Sequence, residues 1–306
     1  MGVSTGTTSE RAKLLLMALP FVVLVFLFAY LPLYGWIYSL FDYKPGIPLF
    51  QNKFVGFKFF SGLVDSPISL ASTLRVIRNT FVISFLLLAM SPLPLVFAIM
   101  LNEMRFTAFK KVVQTTTTLP NFISWILVYA VFFAIFSVDD GFLNRVMLRL
   151  GMIETPTNVL ADSKYVWFFQ TGVTIWKTLG WNAIIYLAAI AGIDAELYDA
   201  AHVDGAGRFR TIWHITLPGL SPTYFVLLLL AVANLINNGL EQYFVFQNPM
   251  TKDKIEVLDL YVYNQGIANI YYSAATAISV LKSLVSLSLL FAVNGLSKLV
   301  RGYSII

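Results

Sequence analysis

The 306-residue chain has no cysteine, two histidines and little charge: 12% of its residues are Asp, Glu, Lys or Arg. Without cysteine there are no disulfides, thiolate metal sites or thiol nucleophiles, although the compartment stays open. The histidines, His202 and His214, are too far apart for a metal pair at i, i+4 spacing. No G-x-x-x-x-G-K-[ST] phosphate loop occurs either, so the chain holds no ATP by that route. The charge content is about half the roughly 25% of an ordinary soluble domain. Lys and Arg outnumber Asp and Glu by 21 to 16, for a net charge of +5. They are scattered, with no basic tract to suggest nucleic acid, and membrane proteins often run basic through their cytoplasmic loops. What is abundant is apolar: 58% of the residues are hydrophobic. Length alone would allow two soluble domains, but this composition is a membrane protein's.

Six apolar segments are long enough to cross roughly 30 Å of hydrocarbon as helices. They lie near Leu14–Ile37, Thr80–Leu101, Pro120–Val138, Val166–Gly192, Leu220–Leu240 and Ala274–Leu296. The first follows Arg11 and Lys13, as a signal peptide would. Its apolar run is too long for that, no small-residue cleavage site follows, and the aromatic YLPLYGWIYSLFDY suits a helix leaving at the headgroups. It is therefore read as a retained span. The implied division is a tail at 1–13, a first span at 14–40, a five-helix core at 75–297 and a C-terminal tail at 298–306. With both tails inside, the inner segments are the shorter ones and carry Lys and Arg at the higher density, which favours that orientation. Pro32, Pro92, Pro94, Pro120 and Pro222 fall in or at the ends of spans, where each removes a backbone donor and kinks its helix.

Three spans carry polar residues at three- and four-residue steps, and so on one helical face. The fourth has Thr171, Thr174, Thr178 and Trp181 or Asn182, with Lys177 adjacent; the fifth has Asn234, Asn237, Asn238 and Glu241. The sixth has Ser279, Lys282, Ser283 and Ser286. With the N-terminus inside, the three faces fall at overlapping depths. Hydroxyls and amides in a bilayer either glue helices together or line a watery cavity. For Asn237, Asn238 and Lys282 a solute path is favoured. Amides both donate to and accept from sugar hydroxyls, and Trp176, Trp181, Tyr186 and Tyr243 are available to stack on sugar rings. Lys177 and Lys282 leave three options open: attraction of an anionic solute, pairing with Glu241, or snorkelling.

Between the fourth and fifth spans lies DAAHVDGAGRFRTIWHITLPGL, charged and punctuated by glycine. Asp199, Ala200 and Ala201 suit the start of a short helix, because an acid near an N-terminus complements the helix dipole, and Ala201 with Gly205 leaves a small-residue face for close approach. Gly205 and Gly207 permit a sharp change of direction. Ile212, Trp213, Ile215 and Leu217 then form a second apolar run ending at Pro218. A helix, a turn and a helix lying back on the bundle suit docking in a partner's groove.

Here the chain resembles the permease subunits of ATP-binding-cassette importers. Their cytoplasmic signature has an acidic residue and two alanines, then a glycine, then Ile-x-Leu-Pro. It is met by Asp199-Ala200-Ala201, Gly205 and Ile215-Thr216-Leu217-Pro218, with Asp199 where Glu is usual. FVGFKFF, RNTFVISF, LPNFISWILVYAVFFAIFSVDDGFLN and IWKTLGWNAIIYLAAIAGIDAELYDAA resemble the sugar-importer branch, closest to permeases for pectin or alginate oligosaccharides. The large extracytoplasmic insertion of one maltose permease subunit is missing.

The resemblance implies an all-α membrane protein of the type I importer fold, with a coupling helix carried by Asp199, Ala200, Ala201, Asp204, Gly205, Ala206, Ile215, Leu217 and Pro218. It implies a carbohydrate path in which Trp176, Lys177, Trp181, Asn182, Asn234, Asn237, Asn238, Glu241, Lys282, Ser283 and Ser286 are candidates. Its expected partners are a homologous second permease, two ATPase subunits that bind ATP and Mg, an extracytoplasmic sugar-binding protein, an oligosaccharide and the lipid bilayer. The chain itself would bind no cofactor, no metal and no nucleic acid. Its place would be the bacterial plasma membrane, with both termini cytoplasmic. Two alternatives stand beside this reading. An ion-coupled sugar transporter needs an intramembrane acid relay, for which Glu241 is a thin candidate. An enzyme acting on lipid-linked sugars needs clustered carboxylates, and the only adjacent pair, Asp139 and Asp140, suits an ordinary turn.

Overall fold

The structure, a computed structural model, describes residues 8–301 and is helical almost throughout. The parts of the expected tails at 1–7 and 302–306 lie outside the described residues. Helix α1 (Thr8–Val25) runs on through a π turn at Phe26–Tyr30 and a 3-10 stretch at Leu31–Leu40. Residues Lys13–Leu40 are apolar and long enough to cross a membrane, and the apolar run is unburied against the rest of the chain. A loop with one isolated bridge, Phe41 to Phe54, leads to α2 (Lys58–Ser61).

Helix α3 (Pro67–Ala89) starts where its signals lie: Ser66 and Ser69 form a reciprocal capping box, and Pro67 occupies the first turn. Together with α4 (Pro92–Asn102) it makes one long span, Pro67–Asn102, interrupted where Pro92 and Pro94 follow Met90. Expectation and structure part at the third span, placed at Pro120–Val138. Helix α5 (Thr107–Thr118) and a 3-10 turn at Leu119–Phe122 meet α6 (Trp125–Phe136) at a bend of 110°. The 12 residues of α6 reach about 18 Å at 1.5 Å each, short of the membrane's core. Pro120 cannot donate to the ladder, and Ser124 accepts from the Leu127 amide to start α6 afresh.

After α7 (Phe142–Arg149), helix α8 (Val166–Ala191) is an unbroken span of 26 residues. Helices α9 (Ala195–Val203) and α10 (Arg208–Thr211) follow, and a π turn at Ile212–Thr216 carries the chain directly into α11 (Leu217–Ala233). The fifth span is therefore Arg208–Ala233, displaced toward the N-terminus from the expected Leu220–Leu240. Pro218 does not end the run before it. The Leu217 amide bonds to the Ile212 carbonyl, five residues back, so the helix is already shifted off the i→i−4 pattern where Pro218 lacks a donor. At the other end, Asn234 and the residues up to Leu240 leave the helix. Then come α12 (Glu241–Phe246), α13 (Lys252–Ile255), α14 (Leu258–Tyr263) with a π turn at Asn264–Ala268, and the last span in α15 (Tyr272–Arg301).

Helix α8 is the mast, with a core at each end. Near its start, Val166 and Val173 pack with Ile83, Val128, Tyr243, Phe246 and Leu260, beside an aromatic wall of Phe132, Phe136 and Phe169. Near its end, Ala183, Tyr186 and Ile190 pack with Leu95, Ala98, Ile99 and Leu220. Polar side chains lie between the two cores. The end of the bundle bearing α9 is called the loop end, the opposite one the far end.

Candidate functional site

At the loop end, α9 starts on Asp194 rather than at the expected Asp199, which lies in mid-helix; the Asp194 carboxylate accepts from the Glu196 amide, and the helix stops in a Schellman motif. The Ala206 amide donates to the Ala201 carbonyl, and the Gly205 amide to that of His202. Gly205 sits at φ +69° with open space around it, so backbone conformation rather than crowding calls for glycine. Tyr198 OH lies 3.1 Å from Thr216 Oγ1, fixing α9 to the π turn. Arg208 donates to the Glu103 carbonyl and faces its carboxylate at 3.6 Å, fixing the loop to the turn after α4. Gly219 allows contact between α11 and Ile193, which a β-carbon there would meet at 2.6 Å. Three anchors thus hold a loop whose apolar tips face outward, Val203 at 88% and Phe209 at 89% exposure. Asp199, Ala200, Asp204 and Pro218 are exposed; Ala201, Ala206, Ile215 and Leu217 are half-buried.

Midway along the bundle, a cavity of about 400 Å³ opens between the α3–α4 junction, α8 and α11. Its polar lining is neutral: Ser91, Thr174, Thr178, Asn182, Tyr186 and Tyr224, set among Leu87, Pro94 and Leu227. Of the path residues expected from sequence, Asn182 lines it. Trp176 and Trp181 do not; they pack edge to face on Phe132 and Phe122. Sequence reasoning missed Ser91 and Tyr224, whose oxygens lie 3.2 Å apart across the cavity. It also missed the buried amides beneath: Gln242 donates to Gln170, and Thr174 donates to Gln242.

The two lysines do something the sequence did not suggest. Lys177 is 6% exposed, and its ammonium donates to the carbonyls of Pro120, Asn121 and Ile123 at 2.9, 3.0 and 2.6 Å. Those carbonyls belong to the break between α5 and α6. All three ammonium donors are used, and the charge also lies 5.2 Å from the Trp125 ring centroid. Lys177 therefore neither snorkels nor forms a salt bridge with Glu241, and no donor is left for a solute. Lys282 pairs with Asp259 of α14, not with Glu241, and Asp259 also accepts from the Gly239 amide.

The asparagines expected on one face of the fifth span lie beyond its end. They occupy the non-helical stretch after α11 and share no helical face. Asn234 closes the helix by donating to the Leu230 carbonyl, Asn237 donates to Ser286, and Asn238 donates to Ser84 of α3. Ser283 donates to the Ser279 carbonyl, and Glu241 is exposed at the start of α12. At the far end Arg75 grips Asp253 and Glu256, while buried Asn79 donates to both of their carbonyls. The polar RVIRN run in α3 was a visible signal for this knot, but its partners are far off in the chain.

A membrane bundle with broken spans, a neutral cavity at mid-depth and an anchored loop with exposed apolar tips is the architecture of a transport permease. Residues 90–302 match the family described as binding-protein-dependent transport system inner membrane component. Protein LplB of Bacillus subtilis (strain 168) is 36% identical over 97% of this chain and 92% of its own length. The polygalacturonan/rhamnogalacturonan transport system permease protein YteP of the same strain is 36% identical over 94% and 88%. A chain in the crystal structure of a bacterial alginate ABC transporter, in complex with alginate pentasaccharide-bound periplasmic protein, superposes with a TM-score of 0.85. It is 30% identical, over 97% of this chain and 98% of that one. The chain belongs to the binding-protein-dependent transport system inner membrane component family. It is a multi-pass inner-membrane permease subunit of an ABC importer, and the ion-coupled and enzymatic alternatives give way to that.

Proposed function

We propose that this chain forms half of the path by which an oligosaccharide released from a plant or algal polysaccharide crosses the bacterial plasma membrane. Its partners in this reading are a homologous permease, two ATPase subunits that hold ATP and Mg, and an extracytoplasmic sugar-binding protein. The observation that carries it is the loop at 195–211. A Schellman turn, the Arg208–Glu103 contact and the Tyr198–Thr216 contact hold it, yet Val203 and Phe209 are left almost wholly exposed. A rigid element with bare apolar tips suits a cleft in another protein. The loop end then faces the cytoplasm, and both termini do as well. Docking falls to Asp199, Ala200, Ala201, Asp204, Gly205, Ala206, Ile215, Leu217 and Pro218. The chain binds no cofactor or metal of its own and draws its energy from the ATPases.

The substrate reading rests on the cavity lining, whose hydroxyls and single amide match sugar hydroxyls. The names of YteP and of the alginate transporter add support for acidic oligosaccharides. In this reading Asn182 touches substrate, together with Thr178, Tyr186 and Tyr224. Any carboxylate on the sugar is met outside this cavity, because Lys177 and Lys282 are engaged. The test is to reconstitute the complex purified from the native host and follow uptake of pectin, alginate and neutral oligosaccharides. ATP-dependent uptake carried by a co-purifying binding protein is expected. Uptake without ATP, collapsed by a protonophore, would refute the reading.

A further inference from the structure

Lys177 sits in a seat built for it. The ammonium meets three carbonyls of one chain break, the acceptors left over where the 3-10 turn that follows α5 ends and the backbone becomes extended at Ile123. Such carbonyls carry the negative end of the helix dipole, so a cation is the matching partner. One turn further along α8, Gly180 lies so close to the last turn of α5, just before the break, that a β-carbon would meet the Thr117 carbonyl carbon and oxygen at 2.4 Å. The next residue, Trp181, packs edge to face on Phe122 at 5.5 Å. Lysine, glycine and tryptophan on one stretch of α8 therefore receive the bend as cation, gap and wall. Non-helical backbone at membrane depth survives only where its polar groups are satisfied within protein or by water. Here one side chain satisfies three of them.

We propose that Lys177 is a positioning residue that clasps the bent third span to α8 throughout the transport cycle. On this view α5, α6 and α8 move as one body, and the cavity face of α8, bearing Thr174, Thr178 and Asn182, moves with α5. Helix α5 begins just after the turn that Arg208 grips, so the clasp joins the docking loop to the cavity through a rod of 12 residues. The functional consequence rests on the importer reading; the clasp itself does not.

The chain lacks cysteine, so cysteines introduced at exposed Phe109 and Ile126 would place one spin label on each arm of the bend. In the assembled complex, with partners freed of reactive thiols, one narrow label-to-label distance is expected both with and without ATP. Lys177→Met should broaden or shift it, while Lys177→Arg, which keeps charge and donors, should largely preserve it. A wild-type distance that changes with ATP overturns the proposal, as does an unchanged distribution in an assembled Lys177→Met protein. If Lys177→Met does not assemble, the wild-type comparison across nucleotide states and the Arg variant decide. In uptake assays, Lys177→Met should lower the saturating rate at least about tenfold and leave the half-saturating concentration within roughly twofold. A raised half-saturating concentration at an unchanged maximal rate would make Lys177 a substrate contact instead. Should wild-type uptake prove independent of ATP, the importer reading falls, while the distance measurements still judge the clasp.

Discussion

Two of the helix breaks among the described residues, at 119–124 and at 234–240, are mended in opposite ways. The first exposes carbonyls, and one lysine, Lys177, satisfies three of them directly. At the second, Gly239 turns at φ +81° and offers an amide, which the Asp259 carboxylate accepts. An acid in that setting requires a counter-charge, and Lys282 supplies it. Spare acceptors thus take one ion, whereas a spare donor takes a pair. A lysine inside a span therefore does not by itself mark an anion path. In both cases here the positive charge is consumed by protein, and the cavity between the breaks is left neutral.

The comparison can be broken most severely at Lys177. Lys177→Met leaves three half-buried carbonyls without their shared donor, and a cost of about 3–5 kcal/mol in total is expected at about 1–3 kcal/mol for each unsatisfied acceptor. Thermal unfolding of the detergent-solubilised complex should fall sharply or assembly should fail; an unchanged midpoint would show the carbonyls are served otherwise. Asp259→Asn should cost less, about 1–3 kcal/mol, because the pair is not sealed from solvent, at 15% and 19% side-chain exposure. Adding Lys282→Met to it should restore part of that loss, since the uncompensated cation is gone. A double variant as unstable as the sum of the singles would deny the pairing.

Smaller effects sharpen the picture. Gly205→Ala forces a β-carbon into left-handed backbone at about 1–2 kcal/mol. It should therefore loosen the loop at 195–211 and, if that loop docks as proposed, weaken recovery of ATPase in pull-downs, while leaving the spans intact by circular dichroism. Recovery at the wild-type level would detach that loop from coupling. Asn238→Ala removes a single hydrogen bond to Ser84, worth about 1 kcal/mol, so the unfolding midpoint should drop only slightly.

What sequence reasoning could see follows from how local each signal was. The apolar runs announced a membrane bundle, and Val166–Gly192 matches α8 almost residue for residue, because nothing in it interrupts the periodicity. The loop at 195–211 was legible in part: Gly205 marked the stop of its helix, but the start was expected at Asp199, whereas Asp194 caps it five residues earlier. The broken spans were not legible. Pro120 signalled trouble, but whether a proline kinks a helix or folds it through 110° depends on what satisfies the freed carbonyls. That partner, Lys177, lies more than fifty residues away, and Asp259, the partner of Gly239, lies in a different element. The asparagines at 234–238 fitted a helical stripe in number but not in structure. Asn234, Asn237 and Asn238 are residues that compete with helix for backbone partners, and Gly239 ended the contest. The cavity's tyrosines were seen only in part: Tyr186 was noted for stacking, while Tyr224 sat unremarked beside Pro222.

The most direct test of the claim that both lysines serve the chain rather than the cargo is a comparison of half-saturating concentrations. Uptake of an acidic and a neutral oligosaccharide would be measured in proteoliposomes for wild type and for the Asp259→Asn, Lys282→Met double variant. The account predicts that the acidic-to-neutral ratio of half-saturating concentrations stays the same, even if both rates fall. A ratio that rises selectively for the acidic sugar would place Lys282 on the substrate's path and contradict it.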